Sequence, residues 1–324
     1  FSCREEISLD FPPVPERLVV EGAIEAGFPP YIILTKNQGY FETIDNSTYD
    51  NLFVENAQII VIKVKDDNKI DSIELFQEFD TIPIYTNLNC PQDFSQEGYR
   101  YNLKIKWNEE LITSTTTIPY STPLDSIWTE ETEDTLDNKY KCEINAVYND
   151  PDTIGNNILI RSKRVEHWVI TDSLTTPPTV INQKDNALLL VDCGPDVLIN
   201  GESFETYFPR PSPQGGFPNG TYKTSKYKKY KDTTTIGQDS ILIPEDLVLI
   251  KFCQVDVVAM RFWRGVVRNS TSGGNPFSEP MNLTSNINGG LGCWTGYGAK
   301  YYLVPVSKDI TITQEYTPNI LDIF

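Results

Sequence analysis

Alternation of apolar and polar residues with period two runs through this chain and confines it to β architecture. Tyr99, Tyr101, Leu103, Ile105 and Trp107 interleave with Arg100, Asn102, Lys104 and Lys106, the pattern of a strand with one buried face and one wet face. Tyr140, Cys142, Ile144, Ala146 and Tyr148 alternate in the same way. Further strands are expected at 18–24, 31–35, 57–64, 111–118, 158–161, 187–191, 247–252 and 300–306, separated by Pro, Gly, Asn and Asp. One segment departs from this rule. Asp256 can cap a run in which Val257, Val258, Phe262, Val266 and Val267 recur at helical spacing, predicting a helix near 256–269 packed across a sheet. The proline-bearing stretch Ile118-Pro119-Tyr120-Ser121-Thr122-Pro123 suggests a boundary. The expected fold is therefore mostly β, with two sandwich domains. Residues 1–118 would form a short tether and a small immunoglobulin-like or transthyretin-like sandwich, and residues 119–324 a larger β domain with the helix and a glycine-rich loop.

Charge and residue usage exclude whole classes of function. The 45 acidic residues against 27 Lys and Arg give a net charge of −18, a field that repels nucleic acid. No run approaches the roughly 18 apolar residues of a membrane-spanning helix. Only one histidine, His167, is present, so zinc sites built on two or three histidines are out of reach. It sits in an alternating segment and is expected to be a structural or surface residue. No dinucleotide, phosphate-loop, nucleophile-elbow or metalloprotease motif occurs. No catalytic residue, metal or cofactor is therefore expected, and acid/base chemistry would have to rest on carboxylates alone. The cysteines at 3, 90, 142, 193, 253 and 293 show no metal-binding spacing, and one or two disulfides are expected among them.

The N-terminus reads Phe1-Ser2-Cys3-Arg4-Glu5-Glu6. A small residue before a cysteine resembles the end of a bacterial lipoprotein signal, which makes Cys3 the expected lipidation site. Arg4, Glu5 and Glu6 then resemble the surface-export signal of Bacteroidota lipoproteins. Longer stretches extend the likeness. Residues 16–24, Pro29-Pro30-Tyr31-Ile32-Ile33-Leu34-Thr35, Leu124-Asp125-Ser126-Ile127-Trp128, the Asn200-Gly201-Glu202 turn, Arg261-Phe262-Trp263, Gly273-Gly274-Asn275-Pro276-Phe277-Ser278 and Gly289-Gly290-Leu291-Gly292 occur in this order. Together they resemble the Bacteroidota lipoproteins of the domain of unknown function 4249 family. The likeness spans nearly the whole chain. The family more often carries an aromatic residue directly after the last glycine, where this chain has Cys293-Trp294.

The resemblance implies an outer-membrane lipoprotein, anchored by lipid and facing the medium, that works beside a TonB-dependent transporter (a SusC-like barrel). Its implied role is to capture or gate ligand for import, without catalysis. Two alternatives are carried with it: a structural accessory subunit of an outer-membrane secretion or insertion complex, and a glycan-cleaving enzyme using a carboxylate pair. Candidate contacts with ligand or partner come from two places. The glycine-rich block, expected first of all to brace the fold, offers Asn275, Phe277, Trp294 and Tyr297. A basic patch from Tyr222 to Lys231 offers Tyr227, Lys228 and Lys229, lysines interleaved with aromatics that suit an acidic partner or headgroup.

Overall fold

The computed structural model describes residues 15–38, 51–78, 84–132, 141–172, 179–183, 188–208, 232–236, 239–272, 282–306, 311–312 and 314–323. The first part of the chain supplies β1 (Leu18–Glu25), β2 (Tyr31–Lys36), β3 (Gln58–Lys65), β4 (Asn68–Gln77), β5 (Ile84–Thr86), β6 (Arg100–Trp107) and β7 (Glu110–Thr117). The remainder supplies β8 (Ser126–Thr132), β9 (Lys141–Asn149), β10 (Asn157–Val165), β11 (Trp168–Asp172), β12 (Thr179–Gln183), β13 (Leu189–Gly194), β14 (Ser203–Phe208), β15 (Asp232–Ile236), β16 (Asp239–Ile243) and β17 (Leu247–Val255). After these come helix α1 (Val257–Ser272), the short β18 (Ile287–Asn288) and the long β19 (Leu291–Pro305). The mostly β fold and its helix follow the alternation. Asp256 caps α1, its Oδ1 accepting the N–H groups of Val258 at 3.0 Å and Ala259 at 2.8 Å.

Twelve strands form one continuous sheet in the order β13-β10-β17-β19-β1-β2-β5-β4-β3-β6-β7-β18. The run from β19 to β18 wraps a single apolar core. Leu18, Val20, Ile32, Ile59, Val61, Tyr101, Leu103 and Ile105 point into it, and Trp294 fills its centre. The alternation read at 99–107 thus turns Tyr101, Leu103 and Ile105 inward. Asn286 closes the wrap, donating to the Trp294 carbonyl at 2.7 Å and accepting its N–H at 2.9 Å. Gly22 makes room for the indole, since a Cβ there would run into the Trp294 ring and the Ile32 side chain.

The other arm, β13-β10-β17-β19, is a layered structure. One face carries the three-stranded sheet β14-β9-β8 over Val248, Ile250, Phe252, Tyr302 and Val304. The opposite face carries α1, whose Ala259 and Met260 pack on Leu159, Cys253, Val255 and Cys293. β11-β12 and β15-β16 each pair as a separate two-stranded hairpin.

β19 belongs to both arms, so the boundary expected at 118/119 divides the sequence but not the sheet. Its first half pairs in parallel with β1, from Val19 opposite Leu291 to Glu25 opposite Tyr297. Its second half pairs antiparallel with β17, from Gln254 opposite Gly298 to Leu247 opposite Pro305. Between the halves the connector leaving β7 crosses the strand at van der Waals distance. The Thr117 carbonyl lies on Gly296 and the Pro119 carbonyl on Gly298, where any side chain would collide with backbone. Those glycines are why 291–299 did not read as strand. The four cysteines whose side chains are described, Cys90, Cys193, Cys253 and Cys293, are free thiols, so none of them joins the one or two disulfides expected. Burial pushes the thiols of Cys193, Cys253 and Cys293 up to about 12, so they behave as small apolar residues.

Candidate functional site

Of the sequence-derived candidates, Cys3, Arg4, Glu5, Glu6, Tyr227, Lys228, Lys229, Asn275 and Phe277 lie outside the described residues. The other two are enclosed. Trp294 is 0% exposed, with its indole N–H donating to the Tyr101 carbonyl at 3.2 Å, and Tyr297 is 3% exposed beneath α1. Neither presents a surface to a ligand; both hold the shared strand in place. Their aromaticity drew them into the site at the sequence level, and burial assigns them to packing. His167 is structural, as expected: its Nδ1–H donates to the Glu245 carbonyl at 2.7 Å.

Around Tyr297 the sheet face beneath α1 carries charge. Glu25 of β1 forms a buried ion pair with Lys251 of β17 and accepts the Tyr301 hydroxyl at 2.7 Å. The Lys251 ammonium lies 4.7 Å from the Tyr297 ring centre, and the Arg161 guanidinium 4.6 Å from that of Trp263. Burial drives the Tyr297 and Tyr301 phenols well above their ordinary range. Glu25, Lys251, Tyr297 and Tyr301 are buried in this layer, and the ion pair ties the two arms together through charge, as β19 ties them through backbone.

A concave surface opens on the other side, where the connector passes between the arms. One wall is Gly98 with the connector from Thr117 to Tyr120 and Thr122; the other is the loop carrying Pro151, Thr153, Ile154, Gly155 and Asn156. They enclose a cleft of about 460 Å³. Tyr120 and Ile154 stand in it 72% and 74% exposed, an aromatic ring and an aliphatic chain facing water across a concavity. Both walls are braced. On the connector side the Gly98 N–H donates to the Ile118 carbonyl at 2.8 Å, the Ser121 N–H to Glu97 at 3.2 Å and the Thr122 N–H to Gln254 at 2.9 Å. Next along the chain, Leu124 N–H donates to the Tyr302 hydroxyl at 2.7 Å. On the loop side Asp150 N–H donates to the Glu202 carbonyl at 3.0 Å and Gly155 N–H to Asp196 at 2.6 Å.

The lining offers hydroxyls from Thr117, Thr122 and Thr153, a phenol and backbone groups, with no charged side chain among its residues. That suits stacking and hydrogen bonding of a neutral ligand. Among the described residues no group of three or more His, Cys, Asp or Glu side chains converges in a metal-binding arrangement. No helix of the described structure is long and apolar enough to cross a membrane.

Comparison with known families decides the relationship. The model described as "Domain of unknown function (DUF4249)" matches residues 4–301. The chain belongs to the DUF4249 family. The match takes in both arms of the sheet, both walls of the cleft and most of β19, so the architecture described here is that of a DUF4249 protein across the matched span. No functionally curated protein matches the chain.

Proposed function

We propose that this DUF4249 protein is a lipid-anchored, surface-facing outer-membrane lipoprotein of a Bacteroidota cell envelope that captures or gates ligand for a TonB-dependent transporter, without catalysis. The observation that carries this reading is the cleft: an exposed Tyr120 on one wall and an exposed Ile154 on the other line a concave surface whose walls are fixed by hydrogen bonds from both arms. A capture protein needs a preformed concavity with solvent-facing apolar anchors. Isolated exposed apolar residues on a flat face would not serve. The lining favours a neutral ligand that stacks on an aromatic ring, such as a sugar or an uncharged peptide segment. The strong negative charge keeps the protein away from nucleic acid and from anionic membrane surfaces, so attachment through a lipid on Cys3 is the anchoring mode in keeping with this reading.

The glycan-cleaving alternative is weakened by burial. Asp150 and Asp196, neighbouring carboxylates beside the cleft, are 6% and 0% exposed and engaged in holding the loop, so neither is open to a glycosidic bond. The test is purification from the native outer membrane in mild detergent, with mass spectrometry of the N-terminal peptide and of co-purifying proteins. The uptake reading predicts acylated Cys3 and a TonB-dependent barrel. An unacylated Cys3, or a secretion or insertion machine in place of the transporter, would contradict it and put the accessory-subunit role first.

A further inference from the structure

Among the described residues the most exposed large apolar side chains are Leu198, Ile154, Tyr120 and Val197, at 81%, 74%, 72% and 69%. Tyr120 and Ile154 line the cleft. The other two stand on a single-turn 3-10 helix, Asp196–Leu198, that is bonded to the cleft's loop wall. Gly155 N–H donates to Asp196 at 2.6 Å, Asn200 donates to Asp152 at 2.7 Å and Gly201 N–H donates to Asp150 at 3.3 Å. Apolar residues scattered singly over a surface are ordinary, whereas the most exposed of them gathered on adjoining segments mark a contact.

Behind this turn the surface is hollow. Pro195, Leu198 and Ile199 meet Ile158, Ile160 and the last residues of β13 around a pocket of about 250 Å³. Ile158 and Ile160 pack on the core beneath β14-β9-β8 but are only partly buried, and β13 beside them ends the sheet among the described residues. A chain laid along this edge in extended form would place alternate side chains in the pocket and against Val197 and Leu198. The rim is acidic. Residues 150–160 and 189–208 hold Asp150, Asp152, Asp192, Asp196, Glu202 and Glu205 and no Lys or Arg. Asp152, Asp192, Glu202 and Glu205 are exposed, and Asp192 also lines the pocket. Arg161, next in sequence, is turned away under α1, over the Trp263 ring. Such a rim repels an anionic membrane surface or an acidic chain and attracts a basic one.

We propose that the Asp196–Leu198 turn, with the pocket behind it, docks an extended segment of a partner protein in which apolar side chains lie between lysines or arginines. The apolar side chains cover Val197 and Leu198 and fill the pocket, and the basic ones reach Asp192 and Glu202. The turn is preformed, held by the bonds from Gly155 and from its own Asp196 N–H to Asn157 at 3.3 Å, so little ordering is lost on its side. A partner seated there lies along the outside of the loop wall and leaves the cleft to its ligand. The docking goes beyond the uptake reading and does not rest on it, since a subunit of another envelope complex carrying such a segment would dock in the same way.

Photo-crosslinking of the full chain in isolated native membranes tests this, with a photoreactive residue placed singly at Val197 and at Leu198 and the adducts mapped to the residue. Both side chains are exposed, so these substitutions should leave Tm unchanged. The expected result is adducts from both positions on one segment of a second protein, apolar between basic residues. Asp192→Lys combined with Glu202→Lys should lower the yield roughly tenfold or more, and added salt should lower it with the native carboxylates in place. Leu111→Ser, an exposed position at the far end of β7, should leave the yield as it is. Adducts only with lipid, with a small ligand or with a second copy of this chain, or with a segment lacking basic residues, would overturn the proposal, as would an undiminished yield after charge reversal. Its failure is distinct from failure of the uptake reading. Adducts from Ile154 with none from Val197 or Leu198 would remove the docking turn and leave the cleft, whereas a basic-flanked segment of a secretion or insertion subunit captured at Leu198 would keep the turn and remove the transporter.

Discussion

The two arms of the sheet satisfy their buried polar groups in opposite ways. Among the described residues the wrapped arm encloses one cation, Lys63, and neutral oxygens satisfy it: the ammonium donates to the Asp93 carbonyl at 2.7 Å and to Gln96 at 2.8 Å, over the Tyr99 ring at 4.3 Å. The layered arm uses ions. Arg164 sits between Asp246 and Glu166, and Lys251 reaches across β19 to Glu25. The wrapped arm is thus an apolar scaffold complete except for a strand it borrows. The layered arm carries specific charge, and the seam between the two carries the concave surface. Binding chemistry placed at a seam between rigid elements is positioned by both without disturbing either core.

The two arms depend on each other most at the shared strand. Gly296→Val should drive the connector off β19 and cost more than about 4 kcal/mol, leaving no folded protein at ambient temperature. If the arms are one cooperative body through β19, calorimetry of the wild type should show a single transition. Two transitions, with one arm surviving the substitution, would mean that the borrowed strand is dispensable.

Next in size is the ion pair that bridges the arms. Lys251→Met strands Glu25 in a closed layer and should cost about 3 to 5 kcal/mol in denaturant unfolding, whereas Lys251→Met with Glu25→Leu should recover most of the loss. Equal losses in the single and double variants would show that the pair contributes more than mutual neutralisation. Asp256→Ala removes the α1 cap and the hydrogen bond from Thr116 at 2.9 Å, a second tie between the arms, and should cost about 1 to 2 kcal/mol.

The smallest effect at neutral pH is alkaline. Burial raises the Tyr31 and Tyr302 phenols to about 12, against about 10 in an unfolded chain. A raised folded pKa means that the unfolded state loses its protons first, so stability falls as pH rises from about 10 towards 12 and is untouched below. Absorbance at 295 nm should show these phenols ionising only as the protein unfolds. Smooth titration at ordinary pH with retained structure would contradict their burial.

Much of this architecture was legible because alternation records burial directly. Residues 100–107 form a strand where period two requires it, the apolar run at 247–252 forms one buried on both faces, and Asp256 starts the helix. The rest was hidden for physical reasons. β19 carries Gly292, Gly296 and Gly298, which lower strand propensity locally; the purpose of the last two is visible only when the connector is seen lying on them, and Gly292 takes a positive φ against the Val20 backbone. β4 carries mostly exposed side chains, so no apolar stripe marks it. The cleft joins residues near 98, 120 and 154, and no local pattern relates them. Proline read 118–123 as a linker, and the structure makes that linker a wall. Aromatic richness pointed to Trp294 and Tyr297 for contact, whereas the solvent-facing aromatic of the cleft, Tyr120, sat in the stretch read as punctuation.

If the seam cleft is the contact surface, photo-crosslinking in the native cell envelope will find it there. A photoreactive residue placed singly at Tyr120, at Ile154 or, as a distant exposed control on β4, at Ile70 should yield adducts with the transporter or its ligand from the first two positions alone. Adducts confined to Ile70, or none from either wall of the cleft while the protein remains folded and bound to its partner, would contradict it.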